Sequence, residues 1–327
     1  MTTSQRSVEI APPAERLVIG NHDAVPCPKH ETLFTEEEAD AWAEELRELL
    51  AADLTPETRA AIESDFGREI WSFGGWYQRI TFDDRHVSTT SDHPRVRESP
   101  GSLNRLGGRL TPHEASILRP MPKWKYIERL LPDLAGKSVL ELGSSNGFFS
   151  LAFASLGAER VLGLELLRGQ VDAAQWAAKT KGLDHVEFRC TDALLDRSIE
   201  PHDIVFLSEV HNHFPLPFYG LLRVLNLAKE LVVFDNSGVI AKPEQQFRFQ
   251  TFRDPNNRRI SFTHCTMSEG LLMHVLDLFG VPVNRVRAFK SPLNDAHVLY
   301  LIDTSNLQRD RLSNGYPECL RDFFDRI

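Results

Sequence analysis

The last two apolar runs of the chain, VNRVRAFK and HVLYLIDT, are separated only by SPLNDA. Parallel neighbours need a crossover of about a dozen residues or more, so a link this short predicts a hairpin, with the final strand antiparallel. Upstream the pattern is different. KSVLELG, RVLGLEL, VEFRCTDA, HDIVFLSEV and ELVVFDNS read as strands. Between them lie helical stretches: GFFSLAFASLG, GQVDAAQWAAKTKG and FYGLLRVLNLA. This βαβα order predicts a parallel, doubly wound sheet. The fold class is therefore α/β, with a seven-stranded, mostly parallel sheet and one antiparallel strand.

The N-terminal part reads differently. Residues 1–34 are rich in proline and polar residues and predict an irregular arm. Within it, CPKH (Cys27, His30) has the spacing of half a zinc site, but no second half follows nearby, so a loop is expected. TEEEADAWAEELRELLAADL has apolar residues at helical spacing behind a capping box, Thr35 and Glu38. TPETRAAIESDFG starts a second helix, with Thr55 as N-cap and Pro56 in the first turn. WYQRITFDDRHVSTT alternates like a hairpin around Asp83 and Asp84. PKWKYIERLLPDL is an amphipathic helix leading into the first long strand. The expected organisation is an arm (1–34), a helical and hairpin extension (35–118), an α/β core (119–305) with a lid-like insert (237–266), and a tail (306–327).

Composition narrows the function. The chain has 42% hydrophobic and 25% charged residues and a net charge of −9. An acidic balance disfavours nucleic acid as a partner. Cys27, Cys190, Cys265 and Cys319 are far apart and read as reduced thiols, which points to the cytoplasm. No signal peptide and no 18-residue apolar run is seen, so no membrane association is expected.

The chemistry starts at VLELGSSNGFFS, residues 139–150. In a doubly wound sheet, ligands bind beyond the carboxyl ends of the strands, near the first turn. Gly143 and Gly147 permit a tight turn and close ligand approach. The spacing is not the GxGxxG of a dinucleotide site. Glu141 would repel a diphosphate and suits a cationic ligand. VLELGSSNG resembles motif I of the class I S-adenosylmethionine (SAM)-dependent methyltransferases, E/D-x-G-x-x-x-G. That resemblance implies a Rossmann-like fold, SAM as cofactor and S-adenosylhomocysteine as product. It places Glu141, Gly143, Ser144, Ser145, Asn146 and Gly147 around the donor. It also places Glu165 on the ribose hydroxyls, Leu166 on the adenine face, and Asp192 with Ala193 near the adenine amino group. Ser208 ends the fourth strand, next to the acceptor chemistry, and it and Trp124 are also expected to line the donor site.

WYQRITF, PKWKYIERLLPDLAGKSVLELG and RRISFTHCTMSEGLLMHVLDLFG are similar to the subgroup that contains the tRNA wobble-uridine carboxymethyltransferase. That subgroup has a tryptophan–lysine helix before motif I, matched here by Trp124 and Lys125. Where the carboxymethyl-transferring enzymes carry a tyrosine before the histidine after strand four, this chain has Asn212 and His213. The departure favours plain SAM and a small-molecule acceptor. A tRNA-modifying enzyme and a non-catalytic SAM-fold partner are the rival readings. Glu209, His211 and His213 lie beyond strand four and are the candidate bases. HNH with Asp235 or Asn236 is also a conceivable metal set, but magnesium prefers carboxylates and water, so no metal is assigned. The insert interleaves Phe247, Phe249 and Phe252 with Arg248, Arg253, Arg258 and Arg259. It would wall the acceptor pocket, or be a hairpin with phenylalanines inward and arginines in water. The N-terminal helices could mediate a homodimer.

Overall fold

A computed structural model of the chain describes residues 25–52, 55–73, 76–82, 85, 87–89, 105–253, 261–293 and 297–307. Of residues 250–253 and 261–263 only the backbone is described. Most of the expected arm, Asp83 and Asp84, and most of the tail lie outside these residues.

The strands, in chain order, are β1 (His30–Glu31), β2 (Thr81–Phe82), β3 (Val87–Ser88), β4 (Ser138–Leu142), β5 (Arg160–Glu165), β6 (Val186–Cys190), β7 (His202–Ser208), β8 (Ala228–Asn236), β9 (Val239–Ile240), β10 (Phe247–Arg253), β11 (Ser261–Ser268), β12 (Val286–Lys290) and β13 (Val298–Asp303). The α-helices are α1 (Glu36–Ala52), α2 (Pro56–Glu63), α3 (Asp65–Ser72), α4 (Pro112–Ile117), α5 (Met121–Ile127), α6 (Phe148–Ser155), α7 (Arg168–Thr180), α8 (Pro217–Leu227) and α9 (Glu269–Leu278).

The main sheet has the order β1-β12-β13-β8-β7-β4-β5-β6. β4 to β8 are all parallel, while β13 runs antiparallel to both β8 and β12. The seven expected strands are present, with the single reversed strand where the short link requires it. Alternate residues enter opposite cores. Leu140, Leu142, Leu162, Leu164, Val205 and Leu207 face α8 and α9. Val139, Val161, Ile204, Phe206 and Val233 face α1, α5 and α6. A sheet buried on both faces explains why its strands read as nearly continuous apolar runs.

The eighth strand, β1, corrects the expected arm: Cys27, Pro28 and Lys29 form a loop as expected, but His30 and Glu31 pair parallel with β12. Two residues cannot hold such an edge alone. The anchor is Glu269, buried in the first turn of α9, whose Oε1 lies 2.7 Å from His30 Nε2 and accepts from Tyr300 Oη at 3.0 Å. Burial first and Glu269 second push the Cys27 thiol up to about 11, so Cys27 stays a neutral thiol.

The expected capping box is formed by Thr35 and Glu38, and Thr55 caps α2. α1 lays Ala39, Trp42, Ala43 and Leu46 inward. Trp42, Ala43 and Leu46 join the core that holds Ile127 and Phe153. That stripe is therefore buried within the chain and gives no support to a dimer built on it. β2 and β3 form the expected hairpin pair. Trp76, Ile80 and Phe82 pack against α7 through Trp176 and its neighbours.

Glu269→Ala should leave the Tyr300 hydroxyl without an acceptor and free β1. We expect a loss of about 2–3 kcal/mol, read as a lower urea midpoint at unchanged slope.

Candidate active site

The turn after β4 requires both its glycines. Gly143 has φ +71°, and a Cβ there would stand 2.3 Å from Val210 Cγ2. Gly147 has φ +92°, and its Cβ would stand 2.6 Å from Phe188 Cζ. The turn folds across the end of β5: the N–H groups of Gly143 and Ser144 donate to the Leu164 carbonyl at 2.8 and 2.9 Å. Ser145 N–H then donates to Glu165 Oε2 at 3.0 Å. Glu165 Oε1 accepts from the N–H groups of Leu166 and Leu167 at 2.8 and 3.0 Å. Beside it Leu166 is 64% exposed, an apolar surface next to a fixed carboxylate. Asp192 follows β6 and accepts from Leu194 N–H at 2.8 Å through Oδ1, with half-buried Ala193 behind it. The structure thus brings together Gly143, Ser144, Ser145, Gly147, Glu165, Leu166, Asp192 and Ala193 at the carboxyl ends of β4, β5 and β6.

Glu141 lies beneath this turn, buried, with Oε2 accepting from Ser150 Oγ at 2.5 Å. Burial, helped by the charge of Glu165, pushes its carboxyl up to about 8. Glu165, a carboxylate held by backbone N–H groups, makes this end of the site suited to a cation, with the neutral Glu141 carboxyl beneath it. The buried hydroxyls of Ser144 and Ser145 have no hydrogen-bond partner among the described residues. Two orphan hydroxyls, an acidic floor and an exposed leucine fit SAM, which carries a sulfonium, an amino group, polar hydroxyls and a flat adenine.

Three expected donor residues do other work. Asn146 is buried, and its Oδ1 accepts from the Tyr77 N–H at 2.9 Å. With Gln78 Oε1 accepting from Phe148 N–H at 2.9 Å, it clamps the N-terminal extension over the start of α6. Trp124 packs on Phe148, Phe149 and Phe153 of α6. Ser208 Oγ donates to Asp235 Oδ2 at 2.5 Å.

That last contact belongs to a buried network that the sequence reading missed. Lys123 of α5 is 4% exposed. Its Nζ donates to Asp235 Oδ2 at 2.7 Å and Ser208 Oγ at 3.0 Å, and lies 3.5 Å from Glu209 Oε1. Tyr126, three residues on and so on the same helix face, donates to Asp235 Oδ1 at 2.7 Å. His297, just ahead of β13, places Nε2 3.0 Å from Asp235 Oδ1 and 3.1 Å from Glu209 Oε1. Burial opposes every charge here, but the partners outweigh it. Lys123 and His297 hold Asp235 well below the usual carboxylate range and lower Glu209 as well. The same carboxylates raise Lys123 and His297. Glu209 has φ +57°, a conformation that non-glycine residues rarely adopt, at the end of β7. Ser237 secures it there through its N–H (3.0 Å) and Oγ (2.6 Å).

Of the two expected histidine bases, His211 is corrected. It is buried, its Nε2 donates to the Pro217 carbonyl at 2.9 Å, and its ring packs on Phe214 and Phe234. Burial lowers its pKa to about 4, so it is a neutral packing residue. His213 is exposed, 5.8 Å from the ring of His264 on β11. Burial first, then the charge of His213, lowers the pKa of His264. Buried Asn212 and Asn236 stand on either side of Gly238, and Asn212 Oδ1 and Asn236 Nδ2 meet no partner among the described residues.

The insert is a three-stranded sheet, β10-β11-β9, rather than a simple hairpin. Phe247 and Phe249 are 41% and 44% exposed, so they are not buried inward. They stack on each other at 6.4 Å, and Phe247 packs on Phe218 at 5.3 Å. Arg258 and Arg259 lie outside the described residues.

A raised carboxyl in the folded state stabilises below its unfolded value, and the contribution is lost as pH climbs through the folded value. For Glu141 that window runs from about 4.5 to about 8. Glu141→Gln should therefore melt close to wild type at pH 4.5 and gain steadily on it up to pH 8, checked by thermal melts across that range.

Residues 139–227 match the family described as "Methyltransferase domain". The tRNA U34 carboxymethyltransferase of Desulfotalea psychrophila is 26% identical over 161 residues, 48% of this chain and 49% of the relative. The ribosomal protein L11 methyltransferase of Geobacillus kaustophilus is 33% identical over 114 residues, 34% of this chain and 35% of the relative. The chain thus spans about half or less of the length of these two. The ubiquinone biosynthesis O-methyltransferase of Neisseria meningitidis serogroup A is 30% identical over 196 residues, 57% of this chain and 74% of the relative. Among solved structures, the N-terminal domain of EvdMO1 with SAH bound is 17% identical, with a TM-score of 0.48, over 73% of this chain and 94% of that one. No helix among the described residues is long and apolar enough to cross a membrane. With the sheet order, the glycine turn and the acid at the end of β5 all in place, the chain belongs to the SAM-dependent methyltransferases.

Proposed function

We propose that this chain methylates a small molecule at an oxygen or nitrogen, beyond the carboxyl ends of β7 and β8. SAM supplies an electrophilic methyl group for in-line displacement. The chain's task is to hold the acceptor atom in line with that methyl and to remove its proton. In this reading Glu165 receives the ribose hydroxyls, and Leu166, Asp192 and Ala193 surround the adenine. Ser144 and Ser145 face the methionine half above Glu141. On the acceptor side His213 takes the proton, with the His264 ring beside it, and Glu209 supplies a fixed negative charge.

One observation carries the small-molecule reading. Asn212 and Asn236 are buried amides, each with an atom that lacks a partner among the described residues, next to the imidazole pair. An unmatched buried polar atom costs about 1–3 kcal/mol, which a polar ligand group would recover. The two amides suit the hydroxyl, carbonyl or amine of a compact acceptor. The net charge of −9 supports the same reading against RNA, whose binding rests on counterion release from basic surfaces. Asn212 in place of the subgroup's tyrosine supports plain SAM over its carboxylated form.

The test uses SAM labelled in its methyl group, incubated with protein and a cell extract separated into low-mass, RNA and protein fractions. Label should enter the low-mass fraction. Label in the RNA fraction would establish the tRNA-modifying reading instead, and label in no fraction would favour a non-catalytic SAM-binding role. In the same assay His213→Ala should lower label transfer at least about tenfold while leaving SAM affinity within about twofold. His211→Ala should lower the melting temperature.

A further inference from the structure

Glu209, Asp235 and His297 present one donor atom each, all within 4.8 Å of one another. Two carboxylates and an imidazole at that spacing have the donor types and the reach to hold a divalent ion. A different cation stands among them. The Lys123 ammonium is 2.7 Å from Asp235 and 3.5 Å from Glu209. Ser208 closes its remaining side at 3.0 Å. An ammonium is a compact point charge with three donors, and here its acceptors are Asp235, Ser208 and Glu209. His297 approaches the same two carboxylates from the β13 side. With Lys123 and a protonated His297, two negative charges meet two positive ones. Adding a divalent ion would place it against a buried ammonium a few ångströms away.

We propose that Lys123 is a built-in cation that takes the place of a divalent metal at the acceptor end of the sheet. It is a positioning residue: it fixes Asp235 and Ser208, and it faces the carboxylate of Glu209, whose backbone is left-handed, directly at the edge of the acceptor site. The placement of the acceptor rests on the reading above. The cation claim does not, because it concerns only the side chains at the ends of β7 and β8.

Manganese(II) is the probe, followed by electron paramagnetic resonance of the full chain after chelator treatment. Wild type should bind no stoichiometric ion up to millimolar concentration. Lys123→Ala and Lys123→Gln should each gain one site, at least about tenfold tighter than any wild-type binding, because removing the ammonium leaves a carboxylate–imidazole donor set. Adding Asp235→Asn to either variant should abolish the gain, and manganese should raise the melting temperature of the single variants alone. Stoichiometric binding to wild type that Asp235→Asn removes would overturn the proposal, since the cluster would then be a metal site. A folded Lys123 variant that gains no ion would overturn it too. If neither variant folds, the wild-type titration still decides. The readout needs no acceptor, so it is independent of whether the small-molecule reading holds.

Discussion

The contact between the Lys123 ammonium and the Asp235 carboxylate, both buried, holds α5 against the carboxyl ends of the central strands. Neither charge survives such burial alone, because desolvation of an unpaired ion exceeds what packing returns. Paired, they tie α5, which lies outside the alternating βα sequence, to the carboxyl ends of β7 and β8. Tyr126 and His297 extend the tie to a second position of α5 and to the start of β13. The carboxyl ends of β7 and β8 are thus held from three separate parts of the chain, and the strained backbone of Glu209 is held by the groups around it.

The donor half is organised differently. Its geometry comes from backbone: two glycines with positive φ, a turn folded across β5, and a carboxylate already fixed by three N–H groups. The N-terminal extension packs on it from outside, with Asn146 accepting from the Tyr77 N–H and Gln78 accepting from the Phe148 N–H. The extension is therefore part of the site's construction rather than a separate module. Its aromatic residues grip Trp176 of α7, directly behind the β5–β6 edge.

These two halves differ in how far the sequence alone reveals them. Glu141, Gly143 and Gly147 are legible because the turn is local and its residue types are dictated by backbone geometry and charge, and Glu165 is legible through the family resemblance. The reversed last strand is legible because chain length forbids the alternative. The buried network is not legible in this way. Lys123, Asp235 and His297 are joined only by the folding of α5 and β13 onto β7 and β8. Family likeness draws attention to Trp124 and Lys125, yet adjacent helical residues point about 100° apart. Trp124 packs on α6, Lys125 pairs with Glu45 at the surface, and Lys123 and Tyr126 share the face toward the strands. His211 illustrates the converse error. Its position after the fourth strand suggests catalysis, but its ring is buried between Phe214 and Phe234. β1 is too short for any periodicity and depends on Glu269, more than two hundred residues away.

The claim on which the rest stands is that Glu165 and the glycine turn form the SAM site. Calorimetric titration with SAM, with NADH as a control, tests it most directly, on wild type and on Glu165→Gln. The account predicts one-to-one SAM binding to wild type, no NADH binding, and affinity at least about tenfold weaker in the variant, as expected for losing a charged acceptor of hydroxyl protons. Equal SAM affinity in folded wild type and Glu165→Gln would contradict it.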